Sequence, residues 1–333
     1  MLPIRRVRVV LASIGAIVVI AAGTVAALVT QGTPRPAAAR SPLASPRASA
    51  PTPAGRLNAT APAPVSPGAV ASVARAEAAR KAAAARAARD PLGAAATAYV
   101  SARAGTVMAA VYDIRTGQTW QLGSGRAQDE ASVVKLDVLE TLLAERGHSG
   151  TGLSASDRAL TEQMIEDSDN AAATSLWYEA GGATGISSFN RQAGLAATSP
   201  SSCVVCPGFT WPGWGLSTTT PADQITLLRQ LVRPSAVLTA SERDYALSLM
   251  KNVTPSQRWG VSGGVPAQVT VALKNGWLPL QGTDSDWQIN SVGWISGGGR
   301  DYLMAVLTTG NPSKQYGIDT IDRLASMAWQ DLG

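Results

Sequence analysis

Histidine is almost missing from this 333-residue chain: His148 stands alone. A multi-histidine metal site is therefore excluded, and a Ser-His-Asp triad would have to use that one residue. Cysteine is nearly as scarce, and Cys203 and Cys206 cannot build a four-cysteine zinc site. Acids are unevenly missing. Residues 1–89 hold 12 Lys+Arg against the single acid Glu77, a balance of +11, so residues 90–333 carry −6 of the net +5. The basicity belongs to the N-terminal segment, and the larger part lacks the positive balance of a phosphate-binding surface, so no nucleic-acid partner is expected. A second acid-free stretch covers residues 180–222. No tryptophan precedes Trp120 and all nine lie between it and Trp329, where the packed core is expected.

The chain divides by composition. Arg5, Arg6 and Arg8 precede an uncharged apolar run over residues 9–30. That run is long enough to cross a bilayer and exceeds the apolar stretch of a cleaved signal peptide, roughly 7–15 residues. The expectation is a single-pass signal anchor in the cell membrane, with residues 1–8 cytoplasmic and the C-terminal part outside. Residues 37–39 (Ala-Ala-Ala) keep open a cleaved signal and a secreted protein. Residues 31–69 are rich in Pro, Ala and Ser, which reads as an extended linker. Residues 70–90 are Ala/Arg-rich and read as a stalk helix, either simply solvated or lying near anionic lipid or wall polymer.

A folded domain is expected over residues 91–333. Residues 93–103 suggest a short helix. Residues 106–113 alternate, with Val107, Ala109 and Val111 on one face, and Thr116-Gly117 turns the chain back over residues 118–122. A helical middle follows over residues 132–252, with a Thr220-Pro221 helix start and a Thr239–Glu242 capping box. Strands return at residues 269–277, 286–296 and 302–309, and a last helix carries Ile318, Ile321, Leu324, Ala325 and Ala328. This order predicts an α+β fold: a five-stranded antiparallel sheet flanked by helices, its strands drawn from both ends of the domain, with an all-helical lobe inserted between them.

Three motifs carry possible chemistry. Ser132-Val133-Val134-Lys135 opens an apolar helix, where residues three apart share a face, so Ser132 and Lys135 point the same way. A serine needs a base, and a lysine serves as one only if burial or nearby positive charge lowers its pKa. Ser-x-x-Lys alone is expected by chance about once in a chain this long. Ser168-Asp169-Asn170 reads equally as a helix N-cap. Lys274-Asn275-Gly276-Trp277 ends a strand. Its lysine reads as protection of a sheet edge, its tryptophan as packing, and its glycine as a point of close approach by a ligand or another backbone. All three in this order should arise by chance in about one chain in a hundred.

In these motifs the chain resembles penicillin-recognising serine enzymes, most of all class A β-lactamases and low-molecular-weight penicillin-binding proteins. The resemblance extends over residues 92–333. It includes Thr218–Asp223 before a helix, Gly181-Gly182, and the Gly297-Gly298-Gly299-Arg300 turn. It implies an acyl-enzyme on Ser132, with Lys135 as base and Ser168 as proton relay to the leaving nitrogen. Asn170 would position the substrate amide, Lys274 and Asn275 would hold its carboxylate, and the oxyanion would lie between the N–H groups of Ser132 and Trp277. The implied partner is a β-lactam or peptidoglycan-peptide-like amide. No cofactor and no metal are expected, and the protein is expected to be a monomer.

Three departures sharpen the expectation. Asn275 stands where the family carries Thr or Ser. The segment between Lys135 and Ser168 is short. The family's water-activating glutamate has no counterpart in residues 180–222. Glu166 precedes Ser168, and Glu179 and Asp223 read as helix-end and helix-start charges. Acylation with slow deacylation follows, general-base help being worth about 10²–10⁴-fold. The alternative is a penicillin-binding-like module that binds or senses cell wall with little turnover. Cys203 and Cys206 are expected to form a disulfide outside the membrane, with free thiols or a metal or redox role as alternatives.

Overall fold

A computed structural model describes residues 90–207, 211–280 and 286–333, together with residues 71–72, 74–78 and 80–81. The apolar run over residues 9–30 and the linker over 31–69 lie outside the described residues. Among those described, no helix is long and apolar enough to cross a membrane. The described part of the stalk is helical and exposed.

The sheet forms as its alternation and turns dictate. Strands β1 (Thr106–Asp113) and β2 (Thr119–Leu122) make the first hairpin. Strands β5 (Thr270–Pro279), β6 (Trp287–Gly297) and β7 (Arg300–Asn311) make an antiparallel meander. β1 closes against β7, pairing Val111 with Met304, so the spatial order is β2-β1-β7-β6-β5. A two-stranded ribbon of β3 (Gln128–Asp129) and β4 (Thr218–Thr219) stands apart.

Successive strand residues face opposite sides, and here both sides are covered. Val107, Ala109 and Val111 join a core with the terminal helices, α1 (Ala94–Ser101) and α8 (Lys314–Asp331). Ala110 and Tyr112 join a second core with the helical lobe. The lobe contains α2 (Val134–Ser149), α3 (Ala155–Glu162), α4 (Asn170–Glu179), α5 (Gly182–Ala193), α6 (Pro221–Val232) and α7 (Ala240–Lys251). Thr220 and Thr239 cap α6 and α7 as their motifs predict, and Ser154–Asp157 makes a further capping box at α3. The observed meander strands run one or two residues beyond the predicted limits at four of their six ends, because ladder pairing continues where apolar alternation stops.

Helix α2 runs through the centre of the lobe. Every residue from Val134 to Ala144 is buried, including Lys135, Asp137 and Glu140. Both carboxylate oxygens of Glu140 lack a hydrogen-bond partner in the described structure, and burial raises its pKa well above the carboxylate range. Burial likewise lifts Asp137 to about 7, against the hydrogen bond that Asn190 donates to it. A carboxyl whose folded pKa is raised is bound to its proton in the fold and loses it more readily when unfolded. Its stabilising contribution is therefore lost as pH climbs from the carboxylate range through the folded pKa. Glu140→Gln removes that penalty. It should raise stability at pH 8 by on the order of 1–3 kcal/mol and change it little at pH 4. Urea midpoints at the two pH values measure the difference.

Candidate active site

Ser132 is set by backbone, not by its own side chain. Asn290 on β6 donates to the carbonyls of Asp129 (2.9 Å) and Glu130 (3.0 Å), fixing the end of β3. Ala131 then adopts φ +50°, a left-handed value costly for a residue with a Cβ. One 3-10 turn, Ala131–Val133, leads into α2 with Ser132 half-buried on it. Gly276 of β5 lies directly behind. A Cβ there would stand 2.7 Å from the Ser132 nitrogen and 2.9 Å from the Glu130 oxygen. The close approach expected at Gly276 is thus to the backbone of the serine turn.

Ser168 enters through an unusual local path. A π-helical turn, Gln163–Asp167, follows α3, and Ser168 itself has φ +60°. Single π turns recur at functional sites. Asp169 then caps α4 by accepting from the Ala172 nitrogen at 2.7 Å. The N-cap reading of Ser-Asp-Asn therefore holds at Asp169, and the capped turn fixes the two neighbours that meet Lys135. Lys135 Nζ donates to the Ser168 carbonyl (2.5 Å), to Ser168 Oγ (3.1 Å) and to Asn170 Oδ1 (2.8 Å). Lys274 Nζ donates to the same Ser168 Oγ at 2.9 Å and to the Asn275 carbonyl at 2.9 Å. None of the hydrogen bonds of Lys135 runs to Ser132 Oγ.

Two lysines thus converge on one hydroxyl, Lys135 fully buried and Lys274 1% exposed. Burial lowers the pKa of Lys135 to about 7, offset in part by the charge of Asp169. Burial and the charge of Lys135 push Lys274 well below the lysine range. An amine close to neutrality at physiological pH is the state a lysine base requires.

Two expectations about the strand motif are corrected. β5 is an edge strand, but Lys274 does not guard the edge, because its side chain turns inward to Ser168. Asn275, next along the strand, faces the other side. Its amide donates to the carbonyls of Gln257 (2.6 Å) and Trp259 (3.1 Å), so both donors are occupied by the chain itself. The half-buried Trp277 indole packs on Trp259 with centroids 6.1 Å apart, and Lys314 Nζ lies 3.8 Å from its ring centre. Its packing reading holds.

The acid-free stretch brings an indole to the lysine. Trp214 lies on a 3-10 turn, Gly213–Leu216, 5.0 Å from Lys135 Nζ. Cys203 and Cys206 form a disulfide beside this turn. Glu179 ends α4 and pairs with Arg146 at 3.6 Å. Asp223 starts α6 and holds the preceding loop, accepting from the Ala197 nitrogen (2.7 Å) and Thr198 hydroxyl (2.8 Å). The buried acids Glu130, Asp137 and Glu140 were not singled out by sequence, for no short motif marks a carboxylate that burial keeps protonated. His148 is exposed, as expected for a surface residue.

Replacing Gly276 by alanine forces a Cβ into the serine turn. Overpacking of this kind costs typically about 1–3 kcal/mol. Gly276→Ala should lower the urea midpoint accordingly, whereas Gly215→Ala, where a Cβ would meet nothing closer than 3.7 Å, should lower it less.

Comparison with known proteins agrees with this fold. A family model described as the beta-lactamase enzyme family matches residues 146–332, a span beginning after Ser132 and Lys135. LppW of Mycobacterium tuberculosis, a lipoprotein candidate by name, is 30% identical over 217 residues, 63% of this chain and 65% of its own length. The carbapenem-hydrolyzing beta-lactamase KPC of Klebsiella oxytoca is 26% identical over 55% of this chain and 60% of its own length. The chain therefore spans less than two thirds of these relatives. Among solved structures, the class A beta-lactamase of Mycobacterium abscessus is 22% identical, with TM-score 0.57, covering 70% of this chain and 96% of the other. The TLA-1 extended spectrum beta-lactamase is 16% identical, with TM-score 0.61, covering 71% and 95%. The fold is that of class A β-lactamases, and the chain belongs to the beta-lactamase enzyme family.

Proposed function

We propose that this protein is an extracytoplasmic serine hydrolase that forms an acyl-enzyme on Ser132 with β-lactams or acyl-D-Ala-D-Ala-like amides and releases it slowly. The observation that carries this reading is the convergence on Ser168 Oγ of Lys274 and of Lys135, the lysine three residues after Ser132. Lys135, with a pKa of about 7, takes the Ser132 proton after exchanging one of its present bonds for Ser132 Oγ. The freed oxygen attacks the amide carbonyl carbon, and the oxyanion is held by the Ser132 and Trp277 N–H groups. Ser168 passes a proton to the leaving nitrogen as the C–N bond breaks. Asn170 presents its amide N–H₂ to the substrate, its oxygen being held by Lys135. Lys274 receives the substrate carboxylate, whose charge offsets the burial that otherwise neutralises it. Asn275 supports this strand from behind through the carbonyls of Gln257 and Trp259.

Location outside the cytoplasm rests on the Arg-flanked apolar run over residues 9–30 and on the likeness to LppW, named as a lipoprotein candidate. The second reading, a wall-binding or sensing module of little turnover, is favoured by one observation: an indole, not a carboxylate, covers Lys135.

A fluorescent penicillin should label the protein covalently, and Ser132→Ala should take no label. Lys135→Ala should slow labelling by about 10²–10⁴-fold. Because the base is the deprotonated amine, the labelling rate should climb with pH through about 7 and level off above it. Absence of label on the unmodified protein would refute acylation by penicillins. Rapid turnover of a chromogenic cephalosporin would show that some other group activates water.

A further inference from the structure

We infer that Trp214 sets the lifetime of the acyl-enzyme by keeping hydrolytic water away from Lys135. The inference rests on the acyl-enzyme reading above and adds to it the group responsible for slow release.

Trp214 is 3% exposed and its ring lies 5.0 Å from Lys135 Nζ. The donated bonds of Lys135 all go to Ser168 and Asn170, so the indole covers a face of the amine that no protein hydrogen bond uses. The ring is moored on several sides. Its Nε1 donates to Thr174 Oγ1 of α4 at 3.2 Å, and Trp211 stacks on it with centroids 6.2 Å apart. Gly213 donates its N–H to the Cys203 carbonyl at 2.8 Å, and a Cβ on Gly213 would meet Cys206 Sγ at 2.3 Å. The disulfide loop therefore abuts the residue before the indole. On the other side, Gly215 packs on Ala131, the residue before Ser132.

Hydrolysis of the ester needs a water whose oxygen attacks the acyl carbon while its proton passes to an amine. The bond to Ser132 Oγ then breaks, that oxygen takes the proton back, and a free carboxylic acid leaves. Lys135 is the amine beside Ser132, and Trp214 supplies neither room nor a polar partner for such a water. Removing the indole opens space well beyond the roughly 10–15 Å³ that one water requires. It would be lined by Lys135 Nζ and the freed Thr174 hydroxyl, two of the polar partners that seat a water.

The test follows penicillin acylation and its decay by intact mass in the full chain, for the unmodified protein, Trp214→Ala and Trp214→Phe. The ratio of decay rate to acylation rate should rise at least tenfold in Trp214→Ala. It should stay within about threefold of the unmodified protein in Trp214→Phe, whose ring still covers the amine. Trp214→Gln, polar and closer in volume, replaces the alanine variant if that one does not fold. Equal lifetimes in a variant that acylates normally would overturn the role of Trp214 while leaving the acyl-enzyme reading standing. An unmodified protein that takes no acyl group would overturn both.

Discussion

Lys135 and Lys274 are 139 positions apart in the sequence and meet on the hydroxyl of Ser168, at 3.1 and 2.9 Å. An ammonium group taken out of water without a paired carboxylate favours its neutral form. Much of the architecture serves to make that burial possible. Lys135 is buried because α2 passes through the middle of the lobe. Lys274 is buried because β5, although an edge strand, is covered by the serine turn, which Gly276 allows to approach. Ser168 reaches both amines because a π turn and a left-handed residue swing it inward before Asp169 starts the next helix.

The acids are placed so that they disturb this arrangement little. Glu130, Asp137 and Glu140 are buried, and burial first, with nearby acids second, raises the pKa of each above the carboxylate range. The charge that acts on Lys135 comes from Asp169, whose carboxylate is held as a helix cap. The long segment without acids delivers aromatic cover instead. Sheet and lobe thus bury the amine that we propose accepts the serine proton, and the ring of Trp214 lies over it. The combination supports acylation with little hydrolysis better than it supports rapid turnover.

Much of this was legible in the residue order. Alternation in residues 106–113, the Thr116-Gly117 turn and the glycine turn before Arg300 mark strands at both ends of the domain, which one antiparallel sheet unites. Ser-x-x-Lys at the head of an apolar helix places two side chains on one face by helical geometry alone. Other features were hidden because they depend on three-dimensional neighbours. Lys274 looks like edge protection until the serine turn is known to cover it. Asn275 could have been foreseen, since in a strand the residue after Lys274 must face the other side. The family pattern drew it into carboxylate binding all the same. For Trp214 core packing is the default reading of the sequence, because nothing local distinguishes a packing tryptophan from one lying over an amine.

The proposed chemistry depends above all on burial making Lys135 a base near physiological pH. Titration of the ε-carbons of the five lysines by NMR, assigned with Lys135→Arg and Lys274→Arg, tests it directly. The Lys135 resonance should titrate near pH 7, and that of Lys274 well below the exposed lysines. A Lys135 resonance that titrates with the exposed lysines, near the ordinary value of about 10.4, would contradict it.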